Sequence, residues 1–109
     1  MRLFALILLM FGAPAQADEW QMLEAEQIRE ALSGRKLAYK SAWQEFRVSG
    51  RTLYNAGADS WGYWQVRNDE YCSQWPPSGL WDCYKMAQNG DVLRFIGENG
   101  ELTDGTYEE

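Results

Sequence analysis

With 109 residues, sixteen acidic side chains against ten basic ones and a net charge of −6, the chain has room for one small domain. The acidic balance argues against nucleic acid and anionic membrane surfaces as partners. The chain has no histidine and two cysteines, which excludes an ordinary Ser-His-Asp triad and zinc or iron sites built from cysteine and histidine.

Residues 1–17 read as a removable export signal. Arg2 supplies the positive start, Leu3 to Phe11 is an uncharged apolar run, and Ala15-Gln16-Ala17 has the small-x-small pattern of a cleavage site. The run is too short to anchor the chain in a bilayer. Cleavage after Ala17 leaves residues 18–109 as a single domain in the periplasm with no stable membrane anchor. Without Arg2, nine basic residues face sixteen acidic ones, a net charge of about −7. So small a domain buries a thin core, and exported domains of this size often add a covalent staple.

Next comes one helix. Met22, Ala25, Ile28 and Leu32 recur at three- and four-residue spacing, and Glu24, Glu26, Arg29 and Glu30 lie off that stripe. Asp18 with Gln21 makes a possible capping box, and Ser33-Gly34 a stop.

From Arg35 the pattern changes to short strands broken by turn residues. Ser49-Gly50, Asn68-Asp69, Asn89-Gly90 and Glu98-Asn99-Gly100 mark four reversals of a meander. A weak echo links Gly50-Arg51-Thr52-Leu53 with Gly62-Tyr63-Trp64 to Gly90-Asp91-Val92-Leu93 with Gly105-Thr106-Tyr107. It reads as a shared hairpin grammar. The expected fold is mainly β (α+β): a curved antiparallel β-meander or partial barrel of about six to eight strands with one N-terminal helix.

The turns fix a register. A two-residue Asn89-Gly90 loop sets Tyr84 opposite Phe95, Met86 opposite Leu93 and Lys85 opposite Arg94. A Cys72–Cys83 disulfide across neighbouring strands sets Tyr71 opposite Tyr84 and Ser73 opposite Asp82. An Asn68-Asp69 turn sets Val66 opposite Tyr71 and Trp64 opposite Ser73. Side chains alternate with period two. One face therefore gathers Trp64, Val66, Tyr71, Tyr84, Met86, Leu93 and Phe95, a core for the helix stripe to cover.

The other face carries Trp61, Tyr63, Arg67, Trp81, Lys85 and Arg94 around the disulfide. Either these rings form a second small core with cations snorkelling at its rim, or they form a binding face for a sugar, an anionic small molecule or a protein. Lys85 opposite Arg94 would need an anion or carboxylate between them.

Little else suggests chemistry. The cysteines are not spaced as Cys-x-x-Cys, so export makes a structural disulfide the expected role. Most carboxylates fall at turns and edges. Asp82, turned to the core face, is expected to bond Ser73. The acidic stretch Gly97 to Asp104 lacks the alternating ligands of an EF-hand. No glycine motif for a nucleotide is present, and neither cofactor nor metal is expected.

The helix ending in Ser33-Gly34-Arg35, the Tyr71-Cys72-Ser73-Gln74-Trp75-Pro76-Pro77 block, Trp81, Cys83-Tyr84 and Arg94-Phe95 give the chain a resemblance. It resembles a family of small exported proteins of Gram-negative bacteria whose activity is not established. The resemblance implies fold and location and no reaction. The expected function is a non-catalytic periplasmic binding or interaction module for an unknown small molecule or envelope protein. The alternatives are an inhibitor of an envelope-directed enzyme, presenting the Trp75-to-Trp81 loop, or a small carboxylate-dependent hydrolase.

Overall fold

The computed structural model describes residues 19–108; the expected export signal, with Asp18, lies outside them. A two-residue strand, β1 (Gln21–Met22), precedes the helix α1 (Ala25–Leu32). Eight strands follow: β2 (Arg35–Ala38), β3 (Trp43–Phe46), β4 (Arg51–Asn55), β5 (Asp59–Arg67), β6 (Glu70–Gln74), β7 (Trp81–Asn89), β8 (Val92–Ile96) and β9 (Leu102–Tyr107). Each of these eight pairs antiparallel with the next, and β9 returns to β2, where Leu37 faces Tyr107 and Ala38 faces Thr106. The meander is therefore a closed eight-stranded barrel. The strand β1 stands outside that ring and extends the ladder beside β7.

The helix begins later than its apolar spacing suggests. Met22 belongs to β1 and is exposed, so the buried stripe is Ile28, Ala31 and Leu32. The cap is Glu24, whose N–H donates to the Gln27 side chain at 2.8 Å, and not Asp18 with Gln21. A second cap comes from a distant turn: the Ala25 N–H donates to Asp69 Oδ1 at 2.8 Å. Gly34, at φ 72°, ends the helix as expected.

Two of the three expected registers hold residue for residue. Asn68 and Asp69 both take positive φ, as a type I′ turn requires, and place Val66 opposite Tyr71 and Trp64 opposite Ser73. Cys72 and Cys83 are bonded cross-strand partners with Cα atoms 4.0 Å apart. The third register is corrected. Gly90 takes positive φ while Asn89 ends its strand, so Gly90-Asp91 forms the turn, with glycine first as in type II′. Asn89 then faces Val92, Gln88 faces Leu93, Met86 faces Phe95 and Lys85 faces Ile96. Partners shift by two residues, so every side chain keeps its face.

Inward-pointing residues divide the barrel into two halves. At one end Leu37, Phe46, Trp64, Met86 and Leu93 pack against Leu23, Ile28 and Leu32, so the helix closes that end. Tyr107 fastens it by donating from its hydroxyl to the Ala31 carbonyl at 2.7 Å. An eight-residue helix is only about 12 Å long. It fills one end of the barrel and leaves the other open.

Candidate functional site

The open half is a cup of about 980 Å³, inside the range of small-molecule sites. Eight-stranded barrels either fill with side chains or hold one small ligand. Here side chains and the helix fill one half, and the other half is left as the cup. Gln44, Tyr71 and Phe95 form its floor, and Tyr39, Tyr54, Ser73, Trp75, Tyr84 and Thr103 rise as its walls. The rim comes from the β2–β3 turn at Lys40 to Ala42, from Ala56, from Pro76 and from Leu102.

The walls are an aromatic belt. Tyr39 lies 6.3 Å from Tyr54 and 6.1 Å from Phe95, Tyr54 lies 6.1 Å from Trp75, and Tyr71 lies 5.2 Å from Phe95 and 6.0 Å from Tyr84, all between ring centroids. Such tilted and edge-on pairs lock one another's rotamers. Two wall glycines make room for them. A Cβ on Gly62 would meet the Trp75 ring at 2.6 Å, and one on Gly105 the Tyr39 ring at 2.9 Å. These are the second glycines of the two echoed segments, so the echo marks two places where a neighbouring ring lies against bare backbone.

Hydrogen bonds set the floor. The buried Gln44 amide accepts from the Tyr39 hydroxyl at 2.7 Å and donates to Thr52 Oγ1 at 2.9 Å and to the Tyr71 oxygen at 3.2 Å. Thr52 passes the chain on by donating to the Glu45 carbonyl at 2.7 Å. The Trp75 indole N–H donates to Ser73 Oγ at 3.1 Å. That bond takes the place of the expected Ser73–Asp82 bond: Asp82 does face Ser73 in the ladder, but it is exposed. Burial, foremost, pushes the Tyr71 phenol up to about 12 and the Tyr39 phenol higher still; both stay protonated and neutral. The hydroxyls of Tyr54, Ser60, Tyr84 and Thr103 have no protein partner among the described residues.

The residues expected to form a binding face lie on the outer wall, which is convex. Their cations already have partners. Arg67 sits over the Trp81 ring at 5.1 Å, and Lys85 pairs with Glu70 at 3.3 Å. Arg94 does not oppose Lys85; it faces Ala87 and Asp104 across its two ladders. It grips the Asp104 carboxylate at 2.8 and 2.9 Å and lies 4.0 Å from the centre of the Trp20 ring. That grip holds the Asp104 carboxyl below its usual range. Arg47 and Arg51 cover Trp61, and Arg51 also lies 5.4 Å from the centre of the Tyr63 ring. Of the expected face, Trp61 alone also reaches the cup, at its rim.

The acidic stretch after Gly97 is likewise engaged within the chain. Glu101 accepts from the Asn99 N–H at 3.1 Å and Asp104 is held by Arg94. Among the described residues no group of three metal-ligating side chains comes together. No helix among them is long and apolar enough to cross a membrane. Comparison of the chain with protein-family models, with curated proteins and with solved structures finds no match in any of the three.

Proposed function

We propose that this protein is a non-catalytic binding module of the periplasm that holds one small molecule in the open end of its barrel. The observation that carries the reading is the cup itself: about 980 Å³, open at one end, closed by α1 at the other, and lined by fixed rings and neutral hydroxyls. The aromatic belt supplies apolar area, and the unpartnered hydroxyls supply a few directional contacts, the usual division of labour in a ligand site. The disulfide supports export, because such bonds persist in oxidising compartments.

The test is a panel of small neutral and charged molecules titrated against tryptophan fluorescence, with Thr103→Trp as the blocking variant. Thr103 is exposed, lines the cup and faces Phe95 across the β8–β9 ladder, so an indole there fills the cup without entering the packed half. A panel member that binds should lose about tenfold or more in affinity to the variant while the melting temperature stays within a few degrees. Equal binding by both proteins, or no panel member bound, rejects the cup.

A further inference from the structure

The charges around the cup are distributed unevenly. No arginine lines it: Arg47, Arg51, Arg67 and Arg94 lie over rings on the outer wall, Arg35 lies over the Tyr107 ring at the helix end, and Lys40, on an exposed turn, is the single basic lining residue. Of the carboxylates, Asp104 lines it but is held by Arg94, while Asp82 and Glu101 stand next to lining residues. Asp82 stands on an inward-facing row of β7, two residues before Tyr84, and forms no ion pair among the described residues. Both Asp82 and Glu101 act on the Tyr84 phenol, which burial and these two negative charges together push upward. The interior thus combines seven ring-bearing residues and phenol oxygens free to accept, with the Asp82 and Glu101 carboxylates close to Tyr84 of its wall.

An electron-rich ring attracts a cation through its face, and a desolvated cation gains most. An anion would meet ring faces, neighbouring carboxylates and a chain whose net charge beyond residue 17 is about −7. On the reading that the cup is a binding site, we propose that its ligand is an organic cation: a protonated or quaternary amine on an apolar body. The amine would lie against Tyr54, Trp75 and Tyr84 near the mouth, and the apolar body against Phe95 and Tyr71 below.

The test compares three probes of nearly equal shape: benzyltrimethylammonium, its uncharged carbon isostere neopentylbenzene, and phenylmethanesulfonate. Calorimetric or fluorescence titration should rank the cation roughly tenfold tighter than the isostere, with the sulfonate weakest. In a protein carrying Asp82→Asn and Glu101→Gln, that preference should shrink severalfold while the isostere binds as before. Equal binding of cation and isostere, or tighter binding of the sulfonate, overturns the organic-cation assignment. If none of the three binds while a member of the broader panel does so in a Thr103→Trp-sensitive way, the charge assignment falls and the cup stands.

Discussion

Gln44 sits where the packed half of the barrel gives way to the open one, and its single amide serves two tyrosines and a threonine. A hydrocarbon at that position would leave the Tyr39 hydroxyl without its partner and take one bond each from Thr52 and Tyr71, at a cost of about 1–3 kcal/mol for the orphaned group. Tyr71 shows how the same environment answers to pH. Burial raises its phenol above the ordinary 10.0, while bonds from Ser73 and Gln44 pull it partway back, to about 12. The folded state holds that proton more tightly than the unfolded chain does, so the stabilisation is complete below pH 10 and is lost as pH rises through about 12. Urea midpoints should be flat below about pH 10 and fall between about 10 and 12, and Tyr71→Phe should lessen the fall. Phenolate absorbance rising in one step near 10, with the fold intact, would contradict this. The sequence does place Tyr71, Tyr84 and Phe95 on the inward face. It does not reveal that they line a space, because an inward side chain looks the same whether its neighbour is a helix or a void.

At the scale of elements, the strand pair β6–β7 joins stability to the cup. Its rungs run Tyr71–Tyr84, Cys72–Cys83, Ser73–Asp82 and Gln74–Trp81, so the sulfur bridge lies on the outer face between rungs whose side chains point inward. Reduction, or Cys72→Ala with Cys83→Ala, should lower unfolding free energy by roughly 2–3 kcal/mol through the freed loop of the unfolded chain. The barrel should survive, because β5 and β8 continue the ladders on either side. Urea unfolding with and without reductant measures this; an unchanged midpoint would show that the bridge contributes nothing. Both local signals, the paired cysteines and Asn68-Asp69, yield a correct register since each acts over a few residues. Asn89-Gly90 misleads by one position, because asparagine and glycine both tolerate positive φ and the dipeptide does not say which residue opens the turn. The capping residue of α1 is misplaced for a similar reason: a strand of two residues, β1, leaves no periodic trace.

For the whole molecule, closure is the property least visible in the chain. Leu37 meets Tyr107 across some seventy intervening residues, and nothing near either position announces the encounter. The depth of the cup is equally non-local, since it follows from the difference between a barrel of eight strands and a helix of eight residues. The outer wall is legible only in part. Arg67, Lys85 and Arg94 lie there as expected, but so do Arg47 and Arg51, and the partners, Asp104 for Arg94 and Glu70 for Lys85, come from the neighbouring strand of each hairpin. Export, the remaining expectation at this scale, has a direct test. Mass spectrometry of protein recovered from the periplasm should give a chain starting at Asp18 with both sulfurs bonded, whereas an intact Met1 or free thiols would count against it. Because α1 plugs the far end, the interior is a blind alley and not a conduit. Whatever enters past Trp75 and the 40–42 turn must back out by the same doorway, so dwell time should follow the furniture at that threshold more than anything deeper inside.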